Sequence, residues 1–129
     1  MSNAVLFVCK SCGFSVDETK RDGVTGGSFL LQKLIDTAQS WERISEMRIE
    51  PVGCLCICDR PCAVAIAHPD KPTFLFADLP PEDIADDLLK MCELYIDSED
   101  GFVGRYLLSD RLQSSRIARI PSPNLLNKT

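Results

Sequence analysis

The chain has 129 residues, 45% of them hydrophobic and 26% charged, which suits one compact domain and not a disordered or fibrous chain. No apolar run approaches the ~18 residues of a membrane-spanning helix, and no basic segment precedes a long apolar stretch at the start, so neither membrane insertion nor secretion is expected and the cytoplasm is the expected compartment. Residues 1–100 carry 9 Lys/Arg against 18 Asp/Glu, a net of −9, whereas residues 101–129 carry 5 against 1, a net of +4. An acidic body argues against nucleic acid, because phosphate binding needs clustered basic side chains.

In chain order, Val5-Leu6-Phe7-Val8 is a continuous apolar run of the kind found in a strand buried on both faces. Cys9-Lys10-Ser11-Cys12 follows at once, then a polar, glycine-bearing loop. Ser28 is placed to cap a helix from Phe29 to about Trp41, with Leu30, Leu31, Leu34, Ile35, Ala38 and Trp41 on one face. Met47 to Gly53 reads as a second strand, parallel to the first across this helix. Ala63–Ala67 and Thr73–Phe76 flank the turn His68–Pro72 as a hairpin. Pro80-Pro81-Glu82-Asp83 opens a second helix whose stripe runs from Ile84 through Leu88, Leu89, Cys92 and Tyr95 to Ile96. The expected fold is therefore α/β, a mixed four-stranded sheet in βαββα order packed with helices, a minimal thioredoxin-like arrangement. It spans residues 1–100, and residues 101–129 form a basic extension with no strong element of its own.

The chain has seven cysteines, an odd number that disulfides cannot pair completely, and a reducing compartment favours a metal or redox site over structural disulfides. Cys9 and Cys12 follow the first strand; Cys54, Cys56, Cys58 and Cys62 follow the second. If the two strands are parallel neighbours, both groups emerge at the carboxyl edge of one sheet, where open α/β sheets place their sites. Thiolates about 4 Å apart repel by roughly 4 kcal/mol at an effective dielectric of 20, so four of them stay protonated, oxidise, or bind a cation. The C-x₂-C at Cys9/Cys12 and the C-x₃-C at Cys54/Cys58 suit tetrahedral zinc and a [2Fe–2S] cluster equally.

The run from Cys54 through Leu55, Cys56, Ile57 and Cys58 to Pro61, entering the apolar strand Ala63–Ala67, resembles the C-L-G-x-C…P segment of thioredoxin-like [2Fe–2S] ferredoxins and of a related subunit of respiratory complex I. A cysteine directly after the first strand, here Cys9, matches too. More closely, the chain from Val5 to Gly101 is similar to a family of short bacterial proteins described only as metal-binding by prediction, with the pattern V-C-x-x-C…C-L-x-x-C-x-R-P-C-A-V-A. The resemblance implies a [2Fe–2S] cluster on Cys9, Cys12, Cys54 and Cys58, and a one-electron carrier served by a redox partner protein, not a stand-alone enzyme. Cys56 stands where the ferredoxins usually have glycine and Cys62 is an additional thiol, so both are alternate ligands. Pro61 stands where thioredoxin-like folds often keep a cis proline, so the Arg60–Pro61 bond is expected to be cis. Arg60 and Lys10, with loop N–H groups, are the expected compensators of cluster charge.

Other features have plainer readings. Cys92 belongs to a buried helix stripe, and His68 to a solvated turn. Gly23–Gly27 reads as a flexible loop because it lacks the Gly-Lys-Ser/Thr ending of a phosphate loop. Glu82, Asp83, Asp86 and Asp87 form a solvated acidic face that a basic redox partner could meet. The rivals to the cluster are a zinc or other metal-handling protein and, third, a thiol oxidoreductase built on Cys9/Cys12. Dithiol exchange is disfavoured by the loop of about fifteen residues between that pair and the next helix, because such nucleophiles sit at helix N-termini.

Overall fold

The computed structural model describes residues 3–57 and 59–124. Its elements are β1 (Ala4–Cys9), the short strands β2 (Lys20–Arg21) and β3 (Val24–Thr25), α1 (Gly26–Ala38), β4 (Met47–Val52), β5 (Val64–His68), β6 (Lys71–Phe76), α2 (Ala85–Asp97), α3 (Asp110–Ser115) and β7 (Arg116–Ile120). The main sheet is mixed and five-stranded, in the order β4-β1-β5-β6-β7, and β2 and β3 form a separate ribbon. β1 runs parallel to β4, with Cys9 opposite Val52, and antiparallel to β5, with Val8 opposite Val64. The α/β architecture and the four expected strands are therefore present, and up to α2 the main sheet runs β1-α1-β4-β5-β6-α2, one strand more than the expected βαββα order names.

The extension differs from its expectation. Residues 105–107 form a 3₁₀ turn, Ser109 caps α3 by accepting from the Leu112 N–H, and β7 adds a fifth strand antiparallel to β6. A five-residue strand carrying Arg116 and Arg119 has too weak an apolar pattern to be seen alone; its partner β6 completes it.

Alternation sorts the strand residues between two faces. Leu6, Val8, Ile66, Phe74 and Phe76 point inward against Leu30 and Leu34 of α1 and Leu88, Met91 and Tyr95 of α2, all within one buried cluster. Each such side chain contributes roughly 1.5–3 kcal/mol on burial. Lys71 is buried at the hairpin end, where its Nζ donates to the Tyr95 and Ile96 carbonyls at 2.9 and 3.2 Å and closes the last turn of α2. Among the described residues, no helix is long and apolar enough to cross a membrane.

Candidate metal centre

Because β1 and β4 are parallel neighbours, their carboxyl ends release both cysteine groups at the same edge of the sheet. The Cys9 N–H donates to the Ala63 carbonyl at 3.1 Å and the Lys10 N–H to the Val52 carbonyl at 3.0 Å, so the first loop is tied to both sides of the second. Cys9 and Cys12 are buried; Cys54 and Cys56 are exposed.

The sulfurs differ in environment. Burial would raise the Cys9 pKa, but hydrogen bonds from the Cys12 thiol, the Ser11 side chain and the Leu55 and Ser11 backbone N–H groups outweigh it, and the thiol lies below its ordinary value. Cys12 is pushed up to about 12, first by burial and then by its own hydrogen bond to Cys9 and the charge there; the Ala63 N–H works in the opposite direction. Cys62 lies beside this pair, its thiol donating to the Gly13 carbonyl at 3.3 Å. Burial, followed by the charges of Cys9 and Glu82, pushes it up to about 12 as well. The Cys54 sulfur accepts from the Cys56 N–H at 3.1 Å. Cys56 has φ 64°, a left-handed conformation that favours glycine.

Of the expected ligands, then, Cys9 and Cys12 adjoin, Cys54 sits on the facing loop, and Cys58 lies outside the described residues. Of the alternates, Cys62 joins the buried pair and Cys56 points to the surface. Among the described residues, no three Cys, His, Asp or Glu side chains are gathered as metal ligands. The donor set is nonetheless all sulfur, with backbone N–H groups aimed at it, which suits a thiolate-bound metal centre.

Several surroundings depart from expectation. The β2–β3 ribbon folds the long loop back, so α1 begins against the Cys9–Gly13 backbone: the Gly27 N–H donates to the Cys12 carbonyl at 2.8 Å, and the Thr25 hydroxyl to the Lys10 carbonyl at 2.5 Å. The distance in sequence between the cysteine pair and a helix start is thus not a distance in space. Gly26 and Gly27 belong to this tight contact and not to a flexible loop, since a Cβ would lie 2.3 Å from the Gly13 carbonyl oxygen and 1.9 Å from that of Cys9. Thr25, not Ser28, caps the helix. Arg60 does not face the sulfurs as a lone charge, because its Nε donates to the Asp78 carboxylate at 2.7 Å. The cis bond among the described residues joins Pro61 to Cys62, so Arg60–Pro61 is not cis. The acidic face is partly engaged within the chain: Glu82 by Arg21 at 2.8 Å, Asp83 by Arg111, and Asp87 by the Ser109 hydroxyl at 3.1 Å. The Leu55 N–H is one of the loop N–H groups expected from the sequence, whereas Asp78, the partner of Arg60, carried no signal there. Cys92 lies in the core as expected.

A family model described as "Protein of unknown function (DUF1636)" matches residues 6–122. No curated protein matches the chain. Among solved structures, a thioredoxin-like [2Fe–2S] ferredoxin from Aquifex aeolicus superposes with TM-score 0.57 at 14% identity, covering 92% of this chain and 94% of that one. A second structure of the wild-type Aquifex aeolicus ferredoxin gives 0.56 at 15% identity over 92% and 99%. One of its cysteine-to-serine variants gives 0.55 at 17% identity over 89% and 98%. At such identities the likeness concerns the fold, which is thioredoxin-like.

Proposed function

The chain belongs to the DUF1636 family, and we propose that its two cysteine loops hold a [2Fe–2S] cluster through Cys9, Cys12, Cys54 and Cys58, making it a ferredoxin-like one-electron carrier. The observation that carries this reading is the interlock of the loops: the Cys9 N–H donates to the Ala63 carbonyl at 3.1 Å and the Cys62 thiol to the Gly13 carbonyl at 3.3 Å. The end of the second cysteine segment therefore lies against the first loop. The cluster, when bound, supplies a one-electron couple. The chain's own contribution is to hold four thiolates, to donate N–H groups that favour the anionic sulfurs, and to exclude water from the Cys9–Cys12 side. Cys54, exposed on the outer loop, leaves that side open to a redox partner protein. The fold shared with [2Fe–2S] ferredoxins supports the same cargo, and thiols kept reduced suit the cytoplasm.

Anaerobic purification followed by an optical spectrum and metal analysis tests the proposal. Visible bands that bleach with dithionite and about two irons per chain are expected. Serine at Cys9, Cys12, Cys54 or Cys58 should shift or abolish the bands, while Cys92→Ser should leave them. A colourless protein with one zinc would replace this reading with a zinc centre on the same thiols. One observation favours a second reading: Cys9 lies below its ordinary pKa beside a raised Cys12, at the start of α1, as in a nucleophile–resolver pair. A colourless, metal-free protein that reduces insulin disulfides would establish it.

A further inference from the structure

The residues after Gly101 collect features that the metal centre does not use. Five of the nine exposed large hydrophobic side chains among the described residues lie between Phe102 and Ile120. The same segment is basic, whereas the body before it is acidic. Its Arg111 is paired with Asp83, but Arg105, Arg116 and Arg119 are in no ion pair among the described residues. Arg119 lies over the Phe102 ring at 5.4 Å. Arg116 lies over Phe74 at 4.9 Å and donates to the Val103 carbonyl at 2.8 Å. Burial, followed by the charges of Arg105 and Arg119, holds Arg116 below its ordinary pKa, so the three guanidinium groups repel one another. An arriving anion relieves that repulsion.

β7 is also an open edge. It ends the sheet, with β6 on one side and no strand on the other. Alternate N–H and carbonyl groups of an edge strand face outward. Among the described residues, no backbone group from 117 to 120 bonds to anything but β6. The register sorts the side chains between the two faces. Arg116 and Arg119 stand opposite Phe76 and Phe74, on the face that the helices cover, and Ala118 and Ile120 stand opposite Leu75 and Thr73, on the other.

We infer that β7 docks an extended acidic segment of a partner protein, added as a sixth strand with acidic side chains over Arg116 and Arg119 and apolar ones beside Ala118 and Ile120. At an edge of this kind main-chain pairing supplies affinity, and the alternating side chains choose the partner. Facing residues of opposite charge stabilise a strand pair and like charges destabilise it. Two copies of β7 side by side would bring the same arginines together from both chains, so the charges select against a second copy. A hollow of about 380 Å³ between Pro72, Phe102, Arg119 and Pro121 leaves room at the Ile120 end. Asp70 and Asp100 also line it, but both are engaged within the chain: Asp70 accepts from the Asn124 side chain at 2.9 Å, and Asp100 from the Ser98 hydroxyl and the Phe102 N–H, each at 3.0 Å. The docking is independent of the metal centre, because β7 is the third strand along from β1.

Fluorescence anisotropy on the purified full chain tests this, with a labelled peptide of about six alternating glutamate and valine residues as the probe. Saturable binding that weakens as salt rises is expected. A peptide alternating lysine and valine should not bind. N-methylation of the central amides of the glutamate–valine peptide should weaken its binding at least about tenfold, because it removes the edge hydrogen bonds and leaves the charge. Arg119→Glu, at an exposed position and with the far-UV circular dichroism unchanged, should lose the glutamate–valine peptide and admit the lysine–valine one. The N-methylated peptide needs no variant, so a failure of Arg119→Glu to fold leaves the test intact. No binding of the glutamate–valine peptide up to millimolar concentration, indifference to N-methylation, or an unchanged preference in folded Arg119→Glu would each overturn the inference. So would a dimer in sedimentation that Arg119→Glu dissolves, since the edge would then belong to a second copy.

Discussion

The two cysteine loops are built differently. The first is buried and fixed: its carbonyls receive the Gly27 N–H and the Thr25 and Ser28 hydroxyls, and its own N–H groups reach Val52 and Ala63. The second carries its first two cysteines on the surface, bends through a left-handed residue at Cys56, and is anchored further on by Arg60 and Asp78. A wall and a lid result. The wall holds Cys9 and Cys12 buried, and the lid carries Cys54 and Cys56 at the surface.

The largest test of this contrast compares two glycines. Gly27→Ala would push a methyl group to 1.9 Å from the Cys9 carbonyl oxygen, and backbone must move to admit it. We expect a loss of several kcal/mol in urea unfolding, in the range reserved for strained core sites. Gly53, at the root of the second loop, has nothing within 4 Å of an added Cβ, and Gly53→Ala should change stability by no more than about 0.5 kcal/mol. Equal effects would break the contrast.

Alkylation of metal-free protein sharpens it next. At pH 8, iodoacetamide followed by peptide mass analysis should label Cys54 and Cys56 well before Cys12 and Cys62. Those two are buried thiols with pKa pushed up to about 12, and almost none of either is thiolate at that pH. Labelling of Cys12 or Cys62 first would mean that the wall opens. Cys56→Gly is a gentler probe. Relief of the left-handed backbone, worth about 1–2 kcal/mol, is offset by the flexibility of glycine, about 0.5–1 kcal/mol. Stability should therefore hold or rise slightly, and an unchanged visible spectrum would take Cys56 off the list of ligands.

The smallest effect lies outside both loops and serves as a control. Arg43 holds Glu46 and Asp97 below the usual carboxylate range through hydrogen bonds. A carboxylate whose folded pKa is depressed stabilises the fold above its unfolded value and loses that contribution as the pH falls through the folded one. The Arg43 pairs should therefore help at neutral pH and fade below about pH 4. Both carboxylates are solvent-screened, so the effect is small. The urea midpoint of Arg43→Met should lie slightly below that of the wild type at pH 7 and converge with it at pH 3, with the visible spectrum the same in both.

Much of this was legible in the chain itself. The apolar run Val5–Val8, the hairpin around His68–Pro72 and the stripe through Leu88, Cys92 and Tyr95 are local patterns whose period states their structure. Gly26 and Gly27 carry no signal of their contact in the sequence, because a glycine pair before a helix looks the same whether it is slack or pressed against a carbonyl 13 or more residues away. Arg60 neighbours the cysteines in sequence, but in space its guanidinium pairs with Asp78.

By itself the sequence determined four strands of the main sheet and its two long helices, and the placing of six of its seven cysteines in two short segments after two strands, since apolar period and residue spacing act over a few residues. Only the tertiary structure decided that α1 begins against the first loop and that residues 116–120 complete the sheet. Those outcomes depend on contacts between distant segments, and such contacts form only when the gain from packing outweighs the entropy of closing long loops.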